Sequence, residues 1–360
     1  MEDKMSEESE TMAKDILTEA VEKGASDIFI VVGQPVSYKI EGVITKRDDK
    51  KMMPRDTEEF IDEVYEQAGR SMSHFMQTGD DDFSLSIARL GRFRCNVFRQ
   101  RGTFSAVLRV VNFDLPDYKE MRIPETVMDF ANLKKGLVLV TGAAGSGKST
   151  TMSYIIDRIN ETRNCHILTL EDPIEFLHRH KKSIVSQREV NIDTESYATA
   201  LRAAMRQSPD VILVGEMRDY ETIDIAMTAA ETGHLVLSTL HTIGAANTID
   251  RVIDVFPATQ QQQIRVQLSM VLQAVVSQQL LPGVNGELVP AFEIMKANSA
   301  IKTMIRDNKV HQIDSVIYAS GREGMCSMDS SILELYTQGL IDRTTALNFA
   351  SNQEAVKRGL

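Results

Sequence analysis

The spacing of apolar and polar positions divides the chain into two differently patterned parts. Met12–Glu22 places Ile16, Leu17, Ala20 and Val21 at helical spacing, and Gly24 ends the run. Residues 27–32 read as a strand closed by Gly33, Gln34 and Pro35. Residues 38–44 alternate, with Gly42 near a turn, and 54–76 read as helical. Strand-like stretches follow over 84–111, around Phe93, Val97, Phe98 and Phe104. These patterns predict a small α+β domain over residues 1–112, and Pro116 and Pro124 among charged residues mark 113–125 as a linker.

Beyond the linker, strand-length apolar runs at 137–141, 166–170, 211–214 and 235–238 alternate with helical patterns. Continuous apolar runs suit a parallel sheet covered on both faces, so this part is α/β. Helical spacing returns over 263–279 (Ile264, Leu268, Val271, Leu272, Val275), and from Ser299 the chain reads as mostly helical. The expected division is a core over 126–290 and a helical C-terminal region over 291–360.

A length of 360 residues allows two or three domains with a sizeable core. The net charge of −11 disfavours general nucleic-acid binding, because an acidic surface repels phosphate backbones. Cys95, Cys165 and Cys326 stand alone, which fits neither a zinc knuckle nor a disulfide scaffold and suits a reducing cytoplasm. The first dozen residues are polar and expected to fray. They contain no apolar signal-peptide core, and no run reaches the ~18 residues of a membrane span. Any membrane association is therefore expected to run through a partner.

The sharpest motif is Gly142, Ala143, Ala144, Gly145, Ser146, Gly147, Lys148 and Ser149, followed by Thr150. It matches G-x-x-x-x-G-K-[ST] without departure, between an apolar strand and a helical pattern (Met152, Ile155, Ile156, Ile159). Backbone N–H groups must wrap a triphosphate, and glycines permit the required dihedrals and leave the approach open. Lys148 supplies charge to the β- and γ-phosphates of ATP, Ser149 offers a hydroxyl to Mg²⁺, and the next helix points its positive end at the phosphates.

Two apolar strands end in acids. After 211–214 comes Glu216, at the carboxyl end where a parallel sheet binds ligands, and so placed to polarise an attacking water. After 166–170 come Glu171 and Asp172, either of which is able to hold Mg²⁺ through water, or to belong to a capped turn around Pro173; Glu175 reads as structural. His241 is suited to sensing the γ-phosphate. His234 reads equally as a satisfied structural histidine, and the two histidines, seven residues apart on one strand, face opposite sides and so suit no shared metal.

Taken together and in order, TGAAGSGKST, LTLEDPIEF, RQSPDVILVGEMRD and TGHLVLSTLHT resemble the Walker A, Asp box, Walker B and His box of the PilT family, within the type II/IV secretion ATPases. The resemblance covers nearly the whole chain. It implies a PAS-like N-terminal domain, a RecA-like P-loop ATPase domain and a helical C-terminal part. It implies that Lys148 and Ser149 hold ATP and Mg²⁺, that Glu171 is the Asp-box acid, Glu216 the catalytic acid, and His234 and His241 the His-box residues. Family arginines that reach a nucleotide at a subunit boundary are matched by the stretch around Arg94 and by Arg109, whose guanidinium groups are equally suited to exposed strand faces.

Residues 300–306 resemble the AIRNLIRE motif of retraction motors, with Lys302, Thr303 and Met304 in place of Arg-Asn-Leu and Asp307 in place of the last Glu. Ser208 and Phe29 also depart from the usual family residues. The four-cysteine zinc site of assembly motors has no counterpart. The family implies a homo-hexamer at the cytoplasmic face of the inner membrane. There it docks on a pilus platform protein and uses ATP hydrolysis, with hinge motion at the linker, to retract type IV pili for twitching motility. An accessory retraction or assembly ATPase is the alternative within the family. A P-loop small-molecule kinase would share Lys148 and Ser149 but gives no reason for the histidine segment. A non-hydrolysing scaffold gives none for Glu216.

Overall fold

The computed structural model describes residues 11–88, 90–111, 115 and 117–360. The expected fraying of the first ten residues, and linker residues 113, 114 and 116, lie outside them. The chain divides into two compact units, Met1–Phe113 and Asp114–Leu360.

The first unit runs α1 (Met12–Glu22), β1 (Asp27–Ile30), β2 (Pro35–Ile40), β3 (Val43–Lys51), α2 (Pro54–Gln67), α3 (Ser73–Thr78), β4 (Asp80–Ile87), β5 (Gly91–Gln100) and β6 (Thr103–Val111). Its sheet is antiparallel in the order β3-β2-β1-β6-β5-β4. Period-two alternation on β5 sends Phe93, Cys95 and Val97 inward. They join Ile16 and Leu17 of α1 and Phe60, Ile61 and Val64 of α2 in one core. The single helix expected over 54–76 is two. Gly69, at φ +61°, ends α2 in a Schellman motif: its N–H reaches the carbonyl of Glu66, and that of Arg70 the carbonyl of Tyr65. Arg70 then forks onto Asp81 at 2.8 and 2.9 Å, which fixes the chain's new direction.

The second unit runs α4 (Glu125–Met128), β7 (Gly136–Thr141), α5 (Lys148–Thr162), β8 (His166–Glu171), β9 (Ile184–Glu189), α6 (Tyr197–Ala204), β10 (Val211–Val214), α7 (Tyr220–Glu231) and β11 (Leu235–Leu240). It continues through α8 (Ala245–Asp254), α9 (Gln261–Val271), β12 (Leu272–Pro282), β13 (Leu288–Lys296), α10 (Ser299–Arg306), α11 (Ile313–Ala319), α12 (Met328–Thr337), α13 (Arg343–Phe349) and α14 (Gln353–Gly359). The sheet order is β13-β12-β7-β11-β10-β8-β9, parallel except for β13. Leu137 and Leu139 of β7 enter the core on one face, and Val138 and Val140 the core on the other. That is why the run is apolar without alternation.

The helical reading of 263–279 holds only to Val271. At Leu272 the backbone becomes extended and β12 begins. Its residues are buried on both faces, Val275 on one and Ala274 and Val276 on the other, so the apolar spacing no longer separates strand from helix. Strand β13 pairs with β12 through Lys296, and the helical end of the chain starts at Ser299.

The segment after β8 is tied to α5 by buried Asn160, whose side chain donates to the Arg179 carbonyl at 2.7 Å and accepts from the Lys181 N–H at 3.1 Å. Within that segment, burial, aided by the Lys181 charge and opposed by Asp157, pushes the His178 imidazole down to about 4. A histidine held neutral when folded stabilises fully above its unfolded pKa of ~6.5, and that stability is lost as pH falls toward 4. His178→Gln should therefore show a shallower fall in melting temperature between pH 6.5 and pH 5 than the unaltered chain, as followed by circular dichroism.

Candidate functional site

The loop between β7 and α5 takes the conformations its glycines permit, with φ of +146° at Gly142, +74° at Gly145 and +85° at Gly147. A Cβ on Gly142 would lie 2.2 Å from the Gln278 carbonyl oxygen and 2.6 Å from Ser146 Oγ. The loop thus folds tightly against β12 and opens on its other side. Thr151 of α5 donates to Gln278 Oε1 at 2.7 Å, and both residues are buried. Lys148 is buried and its ammonium donates to the carbonyls of Gly142 and Ala143 at 3.0 and 2.8 Å. Burial lowers its pKa, opposed by the charges of Glu175 and Glu216.

Gln278→Leu removes the partner of a buried hydroxyl. Its expected cost is about 1–3 kcal/mol of stability, read from urea unfolding, with weaker ADP binding because the loop loses its support.

A cavity of about 280 Å³ opens beside this loop at the carboxyl ends of the parallel strands, with Lys148, Ser149, Glu171, Glu216 and His241 among its walls. Glu216 follows β10 by two residues. Its Oε1 accepts from Arg218 Nε at 2.7 Å, and its Oε2 lies 3.3 Å from His241 Nε2. Between strand and acid, Gly215 sits in a crowded place: a Cβ there would meet Tyr197 Oη at 2.8 Å and the Leu170 carbonyl at 3.2 Å. Thr239 Oγ1 donates to the Gly215 carbonyl at 2.6 Å and holds the strand end.

Glu171 ends β8, where its Oε1 accepts from Thr169 Oγ1 at 2.6 Å and Gln187 Nε2 at 3.2 Å. Burial nevertheless pushes its carboxyl up to about 7, against the lowering effect of those bonds. Asp172 also lines the cavity.

The sequence-predicted residues are not all brought together. His234 precedes β11, whereas the cavity lies at that strand's other end; its Nδ1 is 2.9 Å from the carbonyl of Ala229, near the end of α7. Arg94 and Arg109 belong to the first unit, where they are cross-strand partners on the exposed face of its sheet. Arg109 Nε bonds Asp27 Oδ1 at 3.0 Å. Glu175, read from sequence as structural, lines the cavity, as do Arg218 and Tyr197, which sequence reasoning passed over. Arg218 had a signal, two residues after Glu216 in the strand-end segment. Tyr197 had none, because it reaches the site through tertiary packing.

The profile of the type II/IV secretion system protein family matches residues 2–341. The chain belongs to this family. Within the type II/IV secretion family, it is 42% identical over 333 residues to the type IV pilus retraction ATPase PilT of Pseudomonas aeruginosa, covering 92% of this chain and 96% of that protein. A twitching motility protein of Neisseria gonorrhoeae is 48% identical over 283 residues, covering 78% of this chain and 76% of that one. A crystal structure of the pilus retraction motor PilT with bound ADP superposes with a TM-score of 0.88 at 44% identity, covering 97% of this chain and 99% of the other. As in the sequence, no helix among the described residues is long and apolar enough to cross a membrane.

Proposed function

We propose that the chain is an ATP-hydrolysing motor that retracts type IV pili and so drives twitching motility. Hydrolysis is supported by Glu216 sharing one cavity with Ala144, Gly145, Lys148 and Ser149 of the loop, its carboxylate in contact with Arg218 and His241, and retraction by the likeness to pilus retraction ATPases. The loop amides and Lys148 bind the phosphates of ATP. Glu216 orients and deprotonates the attacking water, and His241 reports on the γ-phosphate through the same carboxylate.

The donor set suits Mg²⁺. Ser149, Glu171 and Asp172 offer hard oxygens to the cavity. These residues would hold the ion together with phosphate and water oxygens. When bound, Mg²⁺ neutralises charge on the transferred phosphoryl.

The motor acts as a homo-hexamer, with Arg94 and Arg109 supplied to the nucleotide of another subunit. It docks on a pilus platform protein at the cytoplasmic face of the inner membrane. Retraction is preferred to assembly because three isolated cysteines are too few for a four-cysteine zinc site. Purified protein with ATP and Mg²⁺ should release phosphate, and Lys148→Ala should not; equal release by both would reject Lys148's part in the reaction.

A further inference from the structure

The loop that carries His241 is anchored by a buried polar row outside the cavity. Strand register sets Leu240, Thr141, Ser277 and Glu293 side by side across β11, β7, β12 and β13. Thr141 and Ser277 are fully buried, and Glu293 is 9% exposed. Helix α8, which follows the His241 loop, has no cap from its own N-cap residue, Gly244. The row caps it instead. Ser277 Oγ accepts the Gly244 N–H at 3.0 Å, and Glu293 Oε1 accepts the Ala245 N–H at 2.7 Å. Inside the same loop, Thr242 Oγ1 shares a 2.7 Å hydrogen bond with Thr248 Oγ1, which lies 3.5 Å from Thr141 Oγ1. Thr141 is the last residue before the phosphate loop. The two loops therefore share one polar footing.

Glu293 caps α8 with a buried carboxylate. Burial raises its pKa, as do the charges of Asp314 and Asp329. A serine or asparagine would cap a helix with a far smaller desolvation cost.

We propose that Glu293 is a positioning residue for hydrolysis: by holding the Ala245 N–H at the start of α8 it sets the His241 loop, so that His241 meets Glu216. This rests on the ATPase reading above. Glu293→Gln keeps the side-chain volume and turns the charge-assisted bond to Ala245 into a weaker neutral one. Its kcat for phosphate release should fall about tenfold or more, since a small misplacement of a reacting group is costly. The KM for ATP should stay within about twofold, because the phosphate loop is untouched.

A purely structural role would not give the second readout. In a His241→Ala background, adding Glu293→Gln should lower kcat by less than about twofold, because the two changes act through one contact. Ser277→Ala, which removes the neighbouring cap, should show the same kcat-selective and His241-dependent loss, and decides the matter if Glu293→Gln does not fold. The proposal is overturned if the losses multiply in the double variants, if KM rises in step, or if kcat is unchanged. Unaltered protein that releases no phosphate overturns the ATPase reading as well. Hydrolysis that is lost in His241→Ala and untouched by Glu293→Gln and Ser277→Ala overturns this proposal alone.

Discussion

Glu216→Gln should slow phosphate release from ATP by about a thousandfold, within the range that a positioned general base contributes, while ADP still binds. Binding is expected to survive because the phosphate loop is supported elsewhere, through Thr151 and Gln278 and the tight approach of Gly142 to β12. Hydrolysis is not expected to survive, because an amide cannot take the proton from water. Arg218 and His241 both contact the Glu216 carboxylate. The amide would keep the shape of that arrangement and lose its charge, so the defect should appear in kcat and leave the KM for ATP close to its starting value. Phosphate release and ADP titration measured on the same sample separate the two effects.

Gly142→Ala should destabilise the second unit by about 3 kcal/mol or more, at the upper end of single-substitution effects, and abolish nucleotide binding. Two costs add. A φ of +146° is open to glycine and strained for alanine. The new Cβ would also sit 2.2 Å from a backbone carbonyl of β12, which cannot withdraw because that strand is paired with β7 and β13. Gly145→Ala provides the contrast. Its φ is +74° and nothing lies within 4 Å of a Cβ there, so the cost should be the ~1–2 kcal/mol of a left-handed residue. Urea unfolding followed by circular dichroism, with ADP titration, should rank the two variants in that order.

The difference between these glycines lies outside what a sequence can display. The motif names both Gly142 and Gly145, but only the fold places Gln278 against one of them. The same holds across the molecule. Strand β7 and its loop were legible because β7 is buried on both faces and the loop has one chemistry. Strand β12 was not, because its apolar positions continue the spacing of α9. The turn at Gly69 carried a readable signal in its glycine, and the helical pattern on both sides masked it.

Within the site, Glu171, Glu216 and His241 each stand at the end of an apolar strand, so their convergence follows from a parallel sheet. His234 stands at the start of one, so the strand carries it away. Tyr197 stands on α6, and only the packing of that helix brings it to the cavity. Arg94 and Arg109 were nominated from family resemblance, and the fold adds that they are neighbours on one exposed sheet face.

The central claim is that hydrolysis at this cavity withdraws pili. It is tested most directly by counting surface pili on cells whose own gene carries Glu216→Gln. The account predicts more pili than in unaltered cells, with surface motility lost. Bare cells would contradict it, because a motor that builds pili loses them when it stops.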